Sequence, residues 1–155
     1  MDSYLDAIKV KYGFEKWHLD LYSPFEKQTF APDEVRMPMP EGYDLIESRS
    51  YCVPGSFRNI YRKRGCTEIK AEIIAVPCED AAQAQDLLLK RLYFMEAPDA
   101  ARDDRWGCNV GFYQKSDSGA SQMVCKGNLF VSIITWTDGK ENADRMIETM
   151  WNSFM

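Results

Sequence analysis

The chain has 155 residues, 45% of them hydrophobic and 28% charged, with a net charge of −5. That length and apolar content supply a single core and exclude wholesale disorder. The acidic balance disfavours a phosphate-backbone partner, so no nucleic acid is expected, and no apolar run approaches the roughly 18 residues of a membrane helix, so no membrane insertion is expected.

The opening MDSYLDAIKV has no basic stretch leading into an apolar one, so it is not a secretory leader and a cytoplasmic location is expected. It reads instead as a short helix: Ser3 and Asp6 have capping-box spacing, Leu5, Ile8 and Tyr12 share a face, and Gly13 is a stop. Trp17, Leu19 and Leu21 then alternate with His18, Asp20 and Tyr22, as in a strand. Pro24, Pro32, Pro38 and Pro40 mark a connector wrapped over the domain, because proline removes backbone donors and favours extended chain. Residues 1–50 hold ten acids and six Lys/Arg, whereas the other 105 residues sum to −1.

From Gly42 a repeated order of elements is predicted. Strands over Tyr43–Cys52, Phe57–Lys63 and from Ile69 onward are separated by turns at Pro54-Gly55 and Arg64-Gly65. Asp80 and Gln83 form a capping box ahead of a helix whose apolar stripe is Ala84, Leu88, Leu92 and Met95. The second half predicts strands over Cys108–Lys115, Ala120–Lys126 and Leu129–Thr137, the last apolar on both faces and therefore central. Asp138 and Glu141 repeat the capping box, and Ala143, Met146, Ile147, Met150, Trp151 and Phe154 line a closing amphipathic helix. The expected fold is α+β: an antiparallel sheet from two βββα units with helices packed on it, plus an N-terminal helix. It forms a single domain over 1–155, made of a helix and wrap (1–41), a first unit (42–96), a charged connector (97–107) and a second unit (108–155).

Pro40-Glu41-Gly42-Tyr43, just before the first strand, resembles the P-x-G-[WY] opening of the PsbP-like fold, a superfamily that includes DcrB-like bacterial proteins. Met150-Trp151-Asn152-Ser153-Phe154 is similar to the end of their closing helix. In layout the similarity spans about residues 38–155; in residues it covers those two motifs. The resemblance implies noncatalytic binding, since photosystem accessory subunits, GTPase-binding factors and effector chaperones share no catalytic residues.

Residues equipped for chemistry are few. His18 is the single histidine and has no identifiable partner nearby in sequence, and no nucleophile-elbow pattern occurs, so no catalytic residue is expected. Cys52, Cys66, Cys78, Cys108 and Cys125 are odd in number and form no CxxC, which excludes a disulfide framework or closely spaced zinc ligands. Asp99, Asp103 and Asp104 lack the calcium-loop pattern, and no phosphate-cradling glycine motif occurs, so neither metal nor cofactor is expected.

Two groups of residues are candidates for partner binding. Arg58 and Arg62 share a strand face in the one basic run and suit an anion or an acidic partner, or else a solvated hairpin tip that guards an edge strand. Asp103, Asp104, Arg105 and Trp106 lie in the loop EAPDAARDDRWG, where Trp and Arg flanked by charge resemble an interface hot spot, unless Trp106 turns back as a core anchor. The function that follows is a protein-binding domain, such as an immunity protein that blocks a toxin or a chaperone for a secreted effector. An aromatic-lined small-molecule pocket is a second reading, and a small enzyme using a thiol or carboxylates such as Glu68 and Glu72 is a third.

Overall fold

The computed structural model describes residues 35, 37–50, 54–94, 100–106, 108, 110–137 and 142–153. The expected N-terminal helix, the strand around His18, Cys52, Met95, Asp99 and Phe154 lie outside the described residues. Among the described residues seven strands run in chain order as β1 (Tyr43–Ser50), β2 (Phe57–Lys63), β3 (Ile69–Pro77), β4 (Ala101–Arg102), β5 (Val110–Ser116), β6 (Gly119–Lys126) and β7 (Leu129–Trp136). Helix α1 (Ala81–Phe94) follows β3 and helix α2 (Ala143–Asn152) follows β7. The strands form one antiparallel sheet in the order β1-β2-β3-β7-β6-β5-β4, so the fold is α+β. No helix among the described residues is long and apolar enough to cross a membrane.

The sheet is buried on both faces because its central strands are apolar on both. Ala71, Ile73 and Ala75 of β3, with Leu129, Val131 and Ile133 of β7, pack with Ile147, Met150 and Trp151 of α2. Ile74, Val76 and Phe130 point to the other face, against Ala84, Leu88 and Leu92 of α1. Each helix therefore covers one face, and both sit over β6 and β7. Burying side chains of this size stabilises by about 1.5–3 kcal/mol each relative to leaving them in water.

Local sequence explains the helix starts. The Asp80 carboxylate accepts from the Gln83 backbone N–H at 2.8 Å as the expected box requires, while the Gln83 side chain reaches back one residue further, accepting from the Glu79 N–H at 2.8 Å. The cap of α2 differs from expectation. Asp138 and Glu141 fall outside the described residues, and the cap is Asn142, whose side chain accepts from the Arg145 N–H at 3.1 Å. Asparagine caps as well as aspartate does, and it stands immediately before the apolar stripe.

The half of the sheet made by β1 and β2 is treated differently on its two faces. On the α2 face, Val35 and residues 37–40 lie across it: Val35 packs on the core, Tyr61 Oη donates to the Pro38 carbonyl at 2.6 Å, and Asn59 Nδ2 donates to Met37 Sδ and, at 2.9 Å, to Tyr61 Oη. Burial in this network pushes the Tyr61 phenol up to about 12, a rise that the Asn59 hydrogen bond partly opposes. On the α1 face, no described segment crosses β1 and β2.

Candidate functional site

The sheet's pleat sets the open face. Arg58 and Ile60 point to the α1 side because their Cα partners on β3 are Ile74 and Glu72, and Ile74 lies under α1. Trp136 joins them, two residues beyond Ile134, whose partner on β3 is Glu72. Register irregularities complete the shape. β2 shifts against β3 between Tyr61 and Arg62, so Arg62 faces Ile69, and Ile69 is left 47% exposed. The result is an open hollow of about 540 Å³ lined by Arg58, Ile60, Glu68, Ile69, Glu72 and Trp136. A second open depression of about 200 Å³ continues past Trp136 over Gln114, Ser116, Ser121 and Ile134.

Charge surrounds the apolar floor. The Arg58 guanidinium meets one Glu72 oxygen through two nitrogens, at 2.7 and 2.9 Å. Glu72 is nearly buried, so the sheet supplies the counter-charge that a desolvated carboxylate needs. Arg49 is the direct cross-strand neighbour of Arg58 and leans on Glu47 at 2.6 Å. Arg62 and Arg64 share Asp44, at 4.0 and 3.4 Å. On the far lip Lys70, itself buried, approaches the exposed Glu68 at 3.6 Å.

The other predicted group lies at the opposite edge and on the α2 face. The two-residue strand β4, which periodicity cannot reveal, brings Asp103 to Asp104 over β5. Asp103 N–H donates to the Gly111 carbonyl at 2.9 Å, and Asp104 accepts from Gly111 N–H at 2.8 Å and from Arg102 at 2.6 Å. Gly111 is required there, because a Cβ on it would stand 2.4 Å from the Asp103 carbonyl oxygen. Trp106 stacks on Trp151 of α2 with ring centroids 4.4 Å apart and planes 8° from parallel. Its Nε1 donates to both Glu148 oxygens, at 3.0 and 2.9 Å. Arg105 pairs with Asp103 at 2.5 Å and covers the Tyr113 ring at 4.7 Å. The Asp103 hydrogen bond raises the Arg105 pKa further. The structure thus brings Asp103, Asp104, Arg105 and Trp106 together, with Trp106 and Arg105 reaching Glu148 of α2 and Asp104 tied to Arg102 and Gly111, and places Arg58 and Arg62 on the other face.

Family models, curated proteins and solved structures give no significant match to this chain. The site must be read from its own chemistry.

Burial pushes the Cys108 thiol up to about 12, with Asp104 adding to the rise, and burial holds the Cys125 thiol well above its ordinary value. Both stay protonated at neutral pH and are poor nucleophiles. Among the described residues no three His, Cys, Asp or Glu side chains come together to hold a metal ion. Sequence reasoning named Arg58 but missed Ile69 and Trp136. A lone bulge and a strand-end tryptophan carry no periodic signal, and the hollow joins residues 58–72 to residue 136.

Proposed function

We propose that this chain is a noncatalytic protein-binding domain whose partner docks on the open half of the sheet's α1 face. The observation that carries the reading is the hollow itself: Ile60, Ile69 and Trp136 form an apolar floor inside a rim of Arg58, Glu72 and Glu68. An apolar centre inside a polar rim is the anatomy of a protein interface, and Trp and Arg are its commonest energetic anchors. A small-molecule site encloses most of its ligand, whereas this hollow is open along its length. The Asp103–Trp106 group, with Trp106 and Arg105 engaged by Glu148 of α2 and Asp103 and Asp104 engaged by Arg105, Arg102 and Gly111, serves in this reading as a structural clamp.

Within the class, a toxin that the chain blocks or a secreted effector that it escorts are the partners the reading names. The PsbP-like resemblance at Pro40–Tyr43 and Met150–Phe154 supports binding in the same way. The reading also takes each half as one βββα unit, joined where β3 pairs with β7.

A photo-crosslinking amino acid at position 69, expressed in the cell of origin, tests this. Position 69 is expected to capture one discrete protein and position 90, exposed on α1, to capture none, with Trp136→Ala abolishing the adduct. Equal labelling from both positions, or none from position 69, overturns the reading.

A further inference from the structure

Residues 37–40 form a strap across the α2 face of β1 and β2, with Met37 and Met39 exposed and Pro38 and Pro40 buried. Proline has no backbone N–H, so this sequence cannot add a full hydrogen-bonded ladder to the sheet. Among the described residues the strap's one backbone hydrogen bond runs from the Tyr43 N–H to the Pro40 carbonyl, at the turn into β1. Side chains fasten the rest. Ser48 Oγ donates to Asn59 Oδ1 at 2.6 Å, Asn59 Nδ2 donates to Tyr61 Oη at 2.9 Å and to Met37 Sδ, and Tyr61 Oη donates to the Pro38 carbonyl at 2.6 Å. Asn59 and Tyr61 are fully buried, so a donor there that loses its acceptor is costly. Met37 carries the end of this chain of bonds and is itself 46% exposed. Met39 is 65% exposed and lies outside the network, whereas Met123, Met146 and Met150 are buried.

We infer that Met37 is an oxidation site, and that its sulfoxide releases the strap from β2. The oxidant is a hydroperoxide. A lone pair of Sδ attacks the terminal peroxide oxygen, the S–O bond forms and the O–O bond breaks. The proton of the attacked hydroxyl passes to the departing oxygen, which leaves as water or an alcohol. Sulfur loses two electrons and the peroxide gains them. A thioether sulfur has two lone pairs, and Asn59 Nδ2–H engages one of them. Oxygen added to the other leaves a sulfur of partial positive charge facing that N–H. Oxygen added to the engaged one stands where the amide now sits. Either product parts Met37 from Asn59 and turns a flexible apolar side chain polar. Pro38 has no N–H to take over, so the Tyr61 bond to its carbonyl is the one bond of this network that still ties the strap to β2. The inference concerns the α2 face and stands apart from whatever docks on the α1 face.

Hydrogen peroxide added to the full chain at neutral pH tests this, with peptide mapping by mass and amide hydrogen exchange followed over the same time course. Met37 and Met39 are expected to gain oxygen before the buried Met123, Met146 and Met150. Exchange in Tyr43–Ser50 and Phe57–Lys63 should quicken about tenfold in step with the Met37 sulfoxide, with β6 and β7 unchanged. Methionine sulfoxide reductases should reverse the change. Met37→Leu, close in volume, should show no response to peroxide in these strands. Met39→Leu leaves the network whole and should respond as the parent does, so it carries the test even where Met37→Leu folds poorly. Met37 that stays reduced while Met39 is fully oxidised overturns the inference. So does a Met37 sulfoxide with unchanged exchange in β1 and β2, or a response in Met37→Leu equal to that of the parent.

Discussion

Trp106 separates a clamp from an exposed interface anchor, and its removal has a calculable cost. Trp106→Ala deletes the parallel stack on Trp151, worth about 0.5–1.5 kcal/mol. It also deletes the Nε1 bond to Glu148, which at a half-exposed carboxylate is worth about 1 kcal/mol. Half of the tryptophan's burial adds about 1 kcal/mol more. The expected loss is about 3 kcal/mol, read from the urea midpoint at unchanged m-value, or a fall of about 6–12 °C in Tm for a chain of this size. Trp106→Phe keeps a stacked ring and loses the Nε1 bond, so it should cost about 1 kcal/mol. The backbone supplies a second signature. Trp106 has φ of 63°, a conformation that non-glycine residues adopt at a cost. Trp106→Gly relieves that cost and should be no worse than Trp106→Ala, against the usual penalty of about 1 kcal/mol for glycine over alanine. A Trp106→Ala variant within about 0.5 kcal/mol of the parent refutes the clamp.

Gly111→Ala forces a Cβ against the Asp103 carbonyl and should cost at least the roughly 1–3 kcal/mol of overpacking, measured by urea unfolding. Asn142→Ala should cost about 1 kcal/mol by removing the α2 cap, with Asn142→Asp close to neutral in the same assay. The Cys108 thiol and Tyr61 phenol keep their protons in the folded state up to about pH 12, above their ordinary values of 9.0 and 10.0. The unfolded chain releases those protons first, so stability is full below about pH 9 and falls as pH rises toward 12, by about 1.4 kcal/mol per unit for each group while its unfolded form alone is ionised. Urea midpoints from pH 8 to 11 should therefore decline, and Cys108→Ala should flatten the slope. Iodoacetamide at pH 8, followed by peptide mapping, should label exposed Cys66 at once and reach Cys108 and Cys125 after unfolding.

Elements whose side chains repeat were legible in the sequence. Alternation over Phe57–Lys63 marked β2 to the residue, and two apolar faces over Leu129–Thr137 placed β7, which ends one residue sooner at Trp136, at the sheet's centre. The stripe Ala143, Met146, Ile147, Met150 and Trp151 is the buried face of α2. What escaped depends on contacts between distant residues. The second face of β3 read as polar from Glu68, Lys70 and Glu72, yet it turns apolar at Ile74 and Val76, where α1 covers it. The register shift that exposes Ile69 follows from pairing with β2, not from its neighbours in the chain. Gly111 looks like an ordinary strand glycine until Asp103 is laid against it. Of the candidate site, Arg58 was visible as charge, whereas the floor of Ile69 and Trp136 exists because β3 and β7 pair.

Amide hydrogen exchange of the full chain, with and without the protein captured from position 69, tests the docking face most directly. Bound partner should slow exchange in Tyr43–Ser50, Phe57–Lys63 and the start of β3, while Trp106 and α2 keep their free rates. Protection centred on residues 101–106 and α2, with β1 and β2 unchanged, would contradict the account and move the interface to the clamp.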